Sequence, residues 1–176
     1  MSAPWRRTLL DVGRIGAIGD VLLCTPALRE LKLKNPASRV RFYTNIPTLV
    51  RGLPYIDEVL AFDKRPKDVI LLRYEDAIPP REHLARIIGD NLGINVRDVR
   101  PDCVVDRGLV KRFRESWRSL QRPHIVVQRR PSIWTPNKEW PEKYWIELIE
   151  NLTRKASVIE TGKEISEQKL VLENYI

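Results

Sequence analysis

The first part of the chain alternates between short apolar runs and apolar residues at helical spacing. Residues 8–12 form a short apolar run, which predicts a buried strand leading into a glycine-spaced loop. Leucines and alanine then recur at helical spacing from Leu22 as far as Lys34, where Asn35-Pro36 follows. Residues 39–44 alternate as a second strand, so the segment predicts a β-α-β unit.

Pro26 complicates the start of this helix, because proline lacks the N–H that a helix interior requires. Either Thr25 caps a helix with Pro26 at its first position, or the helix starts at Asp20 and kinks. The pattern alone leaves both starts open.

Further elements follow in the same alternation. The pattern predicts strands near 59–62, 68–73 and 102–105, and a helix over 82–92 that Gly93 ends. It then predicts a strand at 124–128, a helix opened by Pro141, and a last strand at 157–161.

Strands that alternate with helices indicate an α/β fold with a parallel, Rossmann-like sheet and flanking helices. The pattern restarts near His124, after a basic stretch. We therefore expect a first domain at 1–122 and a second, partial Rossmann-like domain at 123–176.

Composition narrows the class of protein. The 176 residues are 43% hydrophobic and 31% charged, as in ordinary globular proteins, and no apolar run reaches the ~18 residues of a membrane-spanning helix. The cysteines Cys24 and Cys103 lie far apart without metal-like spacing, which is typical of a reducing cytoplasm.

The net charge of +8 favours anionic partners. Residues 107–130 hold eight basic residues against one acid, Glu115. This stretch is compatible with a solvated helix face plus a linker, or with a site for an anionic surface or a phosphorylated substrate. Nucleic acid is not the expected partner, since the chain shows no zinc-finger spacing, RNP aromatics or basic zipper.

The glycine-spaced loop is the first candidate site. Gly13, Gly16 and Gly19 follow a strand, and such loops lie at the ligand-binding edge of an open α/β sheet. The G-x-x-G-x-x-G spacing matches neither a dinucleotide fingerprint nor a P-loop. Asp20 at the helix start is either a cap or a general base facing a substrate hydroxyl.

The second candidate site is the segment 132–141, between a strand and a helix. Its hydroxyls and Lys138 suit a phosphate, while Trp140 and Pro141 equally suit a loop held by aromatic packing. With only His83 and His124 in the chain, residue spacing assembles no metal site.

Together these segments resemble the glycosyltransferase family 9, the ADP-heptose:lipopolysaccharide heptosyltransferases. The resemblance is carried by G-A-I-G-D-V-L-L-C-T-P-A-L-R-E-L-K at 16–32, P-Y-I-D-E-V at 54–59 and K-E-W-P-E-K-Y-W-I-E-L-I at 138–149, in that order.

The resemblance implies a bacterial enzyme of GT-B fold, with an acceptor domain followed by a nucleotide-sugar domain. It implies inverting, metal-independent transfer of a sugar from an ADP-heptose-like donor to a lipopolysaccharide inner-core or related anionic glycan. The donor is then a substrate, and no cofactor is expected. A cytoplasmic location with peripheral contact to the inner membrane is also implied.

The resemblance also implies roles for individual residues. Asp20 would be the catalytic base, on a loop with Gly16 and Gly19. Thr135 and Lys138 would bind the donor phosphates, and Gly162 and Glu164 would lie near the nucleoside.

Members of the family carry a longer second domain with a late histidine-containing loop, and this chain has no histidine after His124. We therefore expect a C-terminally shortened member. The alternative is a truncated or split, non-catalytic member that binds an anionic glycan or a partner chain.

Overall fold

The computed structural model describes residues 8–129 and 139–161. The chain divides into two compact units, Met1–Asp106 and Arg107–Ile176. Both are α/β units with parallel strands, as the sequence pattern predicts.

The first unit is built on a four-stranded sheet in the order β3-β2-β1-β4, and every pairing in it is parallel. The strands are β1 (Leu9–Arg14), β2 (Arg39–Thr44), β3 (Glu58–Ala61) and β4 (Ile70–Leu71). The helices are α1 (Ile18–Leu22), α2 (Thr25–Lys34) and α3 (Leu84–Asp90).

The core lies between this sheet and its helices. Leu10, Val12 and Phe42 from the sheet are fully buried with Leu28 and Ile88 from the helices. Asp11 interrupts the apolar run of β1, and its carboxylate accepts from Arg41 on β2 at 2.6 and 2.7 Å. The charged pair explains how the strand accommodates an acid.

The helix is broken in two at Leu23 and Cys24, and neither predicted start is met as stated. Cys24, not Thr25, is the N-cap of α2, and α1 begins at Ile18, two residues before Asp20. Pro26 has no N–H to donate to the carbonyl of Leu22, and the hydroxyl of Thr25 donates to it instead, at 2.8 Å. The break therefore separates α1 from α2 and leaves Pro26 in the first turn of α2.

Two predicted strands differ from the structure. The strand expected at 68–73 shortens to the two residues of β4, since only Ile70 and Leu71 pair with β1. Residues 102–105 form no strand. Asp102 there is held by side chains, with its carboxylate bound by Arg29 and Tyr55 and its N–H donated to the Thr25 hydroxyl.

The second unit contains α4 (Arg107–Ser116), β5 (His124–Val127), α5 (Glu142–Thr153) and β6 (Ser157–Glu160). β5 and β6 pair in parallel, and Ile149 of α5 packs with Val127 and Val158. Pro141 is the N-cap of α5, close to the predicted start.

The compact units divide at Asp106 and Arg107, whereas the sequence pattern places the boundary at residue 122. The basic helix α4 belongs with the second unit, because Trp117 just after it packs edge-on against the His124 ring at 5.8 Å. Gln121 also accepts from the N–H of Ser157 in β6 at 3.2 Å. Among the described residues, no helix is long and apolar enough to cross a membrane.

Candidate functional site

The order of the strands places a switch point at the carboxyl ends of β1 and β4. β2, which follows β1 in the chain, pairs with one side of β1, and β4 pairs with the other side of β1. Ligands of open α/β sheets bind in the crevice at such a point. The glycine loop after β1 and the turn after β4 therefore form the candidate site.

The glycine loop is fixed by a side chain from the neighbouring strand. The side-chain amide of Asn45, just after β2, accepts from the N–H of Gly16 at 3.1 Å and donates to its carbonyl at 2.9 Å. A Cβ on Gly16 would lie 2.5 Å from Oδ2 of Asp20 and 2.8 Å from its Cβ. Only glycine leaves room for Asp20 in this position.

Asp20 both caps α1 and faces the switch point. Its Oδ2 accepts from the N–H of the N-cap residue Ala17 at 2.8 Å, as the third residue of a helix does in a capping box. Its Oδ1 accepts from the Tyr74 hydroxyl after β4 and lies 3.4 Å from Nη2 of Arg14. The side chain is 23% exposed, so it remains open to a ligand.

Arg14 is the buried charge at the centre of this arrangement. Its side chain is 6% exposed, and its guanidinium donates to the carbonyl of Leu72 at 3.0 Å and pairs with Glu75 at 2.7 Å. It also stacks over the Tyr74 ring, with Cζ 4.7 Å from the centroid. Its Nε atom is buried without a hydrogen-bond partner.

The titration of neighbouring groups reflects this packing. The hydrogen bond from Arg14 lowers the pKa of Glu75 to about 2. Burial, followed by the hydrogen bond to Asp20, raises the pKa of Tyr74 to about 12. Tyr74 is therefore a protonated donor and Glu75 an ionised partner across the neutral pH range.

A pocket of about 410 Å³ opens beside these residues. Three arginines and two acids give it a polar wall, and apolar side chains form the rest. Its lining residues are Gly13, Arg14, Ile15, Phe62, Arg65, Leu71, Leu72, Arg73, Glu75 and Asp76. Asp20 does not line it, but contacts Arg14, which does.

The second unit carries a buried arginine at the corresponding edge of its own sheet. Arg129, just after β5, is 1% exposed and binds Glu160 at 3.0 Å as well as Glu142 at the start of α5. These pairs hold the carboxyl end of β5 to β6 and α5. The segment predicted to contact phosphates, 132–141, begins three residues further along the chain.

The structure places Asp20 directly beside Gly16. Gly19 lies in α1, and a Cβ added there would meet nothing within 4 Å. Thr135, Lys138, Gly162 and Glu164 lie outside the described residues. Their predicted roles stay predictions.

Sequence reasoning missed Arg14, Asn45, Tyr74 and Glu75. Arg14 carried a signal, because a charged residue at the end of a buried strand beside a glycine loop needs a partner. Tyr74 and Glu75 directly follow the predicted strand at 68–73 and could have been placed at the same edge of the sheet. In 8–129 and 139–161, no group of three His, Cys, Asp or Glu side chains could hold a metal ion.

Comparison with known proteins supports the fold. Neither a protein-family model nor a curated protein matches the sequence. The solved glycosyl transferase family 9 structure from Veillonella parvula DSM 2008 matches 91% of this chain, with a TM-score of 0.64 and 17% identity. The E. coli ADP-heptose lps heptosyltransferase II structure matches 87% of it, with a TM-score of 0.59 and 14% identity.

The chain spans 64% of the length of each of these two proteins. At such low identity the likeness concerns the fold. The chain therefore shares the fold of the matched part of these two solved transferases, which agrees with the resemblance found in its sequence motifs.

Proposed function

We propose that this chain is a glycosyltransferase, or the acceptor-binding part of one, that uses Asp20 as its general base. The observation that carries the proposal is a partly exposed carboxylate at the switch point of a sheet whose fold matches glycosyltransferases. The base would take the proton from an acceptor hydroxyl.

The contacts of Asp20 leave it capable of this step. A carboxylate has about four lone-pair positions; Ala17 and Tyr74 donate to two of them, and the guanidinium of Arg14, in an ion pair at 3.4 Å, faces a third. One position thus remains for an acceptor hydroxyl. The donors fix the orientation of the carboxylate, which lowers the cost of placing the hydroxyl against it.

The proposed reaction is a single displacement. The acceptor oxygen bonds to the anomeric carbon as the bond from that carbon to the nucleoside diphosphate breaks. The acceptor proton passes to Asp20, and the configuration at the anomeric carbon inverts. We propose that Thr135 and Lys138 neutralise the departing diphosphate, that Gly162 and Glu164 lie near the nucleoside, and that no metal is needed.

The lining of the pocket supports an anionic acceptor. Arg65 and Arg73 are exposed at its wall, while Arg14 is already paired with Glu75. Exposed guanidinium groups bind phosphate or carboxylate in a bidentate manner. A lipopolysaccharide inner core, with an ADP-heptose donor, is the acceptor class we propose, in keeping with the E. coli protein of similar fold.

The test is a transfer assay with the purified chain, ADP-heptose and a deacylated inner-core acceptor. We expect Asp20→Asn to lower the rate about 10²–10⁴-fold, the usual contribution of a general base. Asp90→Asn, which changes an exposed acid at the end of α3, is the matched control and should keep the full rate.

Three outcomes separate the possibilities. Full activity of Asp20→Asn would show that Asp20 is not the base. Turnover by neither protein, with calorimetric binding of the acceptor intact, would overturn catalysis in favour of a non-catalytic glycan-binding chain. Arg65→Ala and Arg73→Ala should raise KM for the acceptor and leave kcat unchanged if the pocket holds its anionic groups.

A further inference from the structure

Two carboxylates share one guanidinium at the candidate site. Nη2 of Arg14 lies 2.7 Å from Oε1 of Glu75 and 3.4 Å from Oδ1 of Asp20. The first distance is that of a charge-assisted hydrogen bond, whereas the second is longer than an ordinary hydrogen bond between nitrogen and oxygen. Arg14 is thus drawn towards Glu75 and stands back from Asp20.

The carboxylate of Glu75 is fixed in the position that holds Arg14. Its Oε1 pairs with Arg14, and its Oε2 accepts from the backbone N–H of Tyr74 at 3.0 Å. The hydrogen bond from Arg14, more than that from Tyr74, lowers the pKa of Glu75 to about 2, so Glu75 is charged across the neutral pH range. The guanidinium is also anchored through Nη1, which donates to the carbonyl of Leu72 at 3.0 Å.

Tyr74 supplies a neutral donor to the oxygen of Asp20 that faces Arg14. Its hydroxyl donates to Oδ1 of Asp20, and its ring lies 4.7 Å from Cζ of Arg14. A neutral donor orients a carboxylate but stabilises its charge less than an arginine does. The thiol of Cys24 donates to the backbone carbonyl of Asp20 at 3.4 Å, and burial raises the pKa of that thiol, so it adds no charge.

We propose that Glu75 is a positioning residue for the base, an inference that rests on the proposed role of Asp20. Glu75 keeps the guanidinium of Arg14 from pairing closely with Asp20, so that Asp20 retains its affinity for a proton. A carboxylate in a close pair with arginine is stabilised as the anion and is a weaker base. Glu75 thus acts on the base through Arg14.

The pH–rate profile of the transfer reaction separates this role from a merely structural one. In Glu75→Gln, Arg14 is free to pair with Asp20, so the acid limb should move lower by about one pH unit. The weaker base should also lower kcat by about 3–10-fold. In Tyr74→Phe, Asp20 loses a donor, so the acid limb should move to higher pH. Glu75→Asp keeps the charge and should restore most of kcat.

Asp76→Asn is the matched control for the loss of a negative charge. Asp76 is the next residue in the chain, is exposed, and makes no ion pair with Arg14. Its acid limb should stay close to that of the unchanged chain. An equal shift in Asp76→Asn and Glu75→Gln would mean that only the local charge counts, and shifts of Glu75→Gln and Tyr74→Phe in the same direction would mean a general loosening of the site. Either result would overturn the proposal.

A crystal structure of Glu75→Gln tests the competition for Arg14 without turnover. Nη2 of Arg14 should approach Oδ1 of Asp20 from 3.4 Å to about 2.8 Å. A guanidinium that stays in place would overturn the proposal even where transfer is observed. If the unchanged chain shows no turnover while the guanidinium moves, the proposed function fails and the competition for Arg14 stands. Because the side chain of Glu75 is 52% exposed, the variant should fold, which circular dichroism checks.

Discussion

Replacing Gly16 by alanine tests how the candidate base is positioned. The added Cβ would lie 2.5 Å from Oδ2 of Asp20, which is closer than real Cβ contacts come. The carboxylate must therefore move away from Ala17, Tyr74 and Arg14. Loss of the cap and of the Tyr74 hydrogen bond should together cost about 2 kcal/mol of unfolding free energy.

Gly19→Ala is the matched control on the same loop and helix. Nothing lies within 4 Å of a Cβ at Gly19, and alanine is favoured over glycine inside a helix by up to about 1 kcal/mol. We expect Tm to fall by about 4–8 °C for Gly16→Ala and to stay constant or rise for Gly19→Ala, measured by calorimetry.

Activity adds a second readout to the same pair. If Asp20 is the base, Gly16→Ala should lower the transfer rate as Asp20→Asn does, because the carboxylate is displaced. An equal Tm for the two glycine variants would refute the reasoning, since it would mean that the loop accommodates a methyl group without moving Asp20.

The remaining predictions concern Arg14, Glu75 and the two cysteines. Arg14→Met should lower the free energy of unfolding, measured in urea, by about 2–4 kcal/mol. The expected loss is smaller than for a fully buried ion pair because Glu75 is half exposed. The control Arg86→Met should change the free energy of unfolding little. The folded-state pKa of Glu75 is lowered to about 2, so its stabilising effect is present above its usual pKa of 4.5 and is lost as the pH falls towards 2. The difference in unfolding free energy between the unchanged chain and Glu75→Gln should therefore shrink as the pH falls from 4.5 towards 2. A difference that stays constant over this range would contradict the lowered pKa of Glu75. Burial raises the pKa of the Cys24 thiol and Cys103 is exposed, so a thiol reagent should label Cys103 alone until denaturant is added.

The alternation of strands and helices was predictable because its signals are local. β1, α2, β2 and β3 carry apolar residues at the period of their element, and Asn35-Pro36 gives a clear stop after α2. Parallel pairing of β1 with β2 and of β5 with β6 then follows, since α-helices connect the two strands of each pair.

The motifs that carry the family resemblance serve two purposes that sequence alone could not separate. Gly16 and Asp20 form the candidate site. Asp57 instead holds the scaffold, because its carboxylate accepts from Lys32 at 2.8 Å and from the N–H of Val40 at 2.7 Å. Thr25 likewise satisfies the carbonyl that Pro26 leaves open.

The contact between Asp20 and Tyr74 could not be predicted from the sequence because it depends on the order of the strands. Tyr74 is 54 residues away in the chain and reaches Asp20 only because β4 pairs with β1 instead of with β3. A hydrophobic pattern specifies that a strand exists, but not which neighbour it takes. The order of strands, and thus the wall of the site, is set by tertiary packing.

The brevity of β4 has a consequence for how the site responds to a ligand. An edge strand that pairs through only Ile70 and Leu71 contributes few backbone hydrogen bonds, so its detachment costs far less free energy than unfolding the sheet. Leu72, Arg73 and Glu75 line the pocket directly after it. The pocket wall can therefore open and reclose while β1 and β2 stay intact, and amide hydrogens of residues 70–75 should exchange faster than those of β1. A ligand that bridges Arg14 and Arg73 would slow this exchange, which makes local protection at β4 a direct report of occupancy.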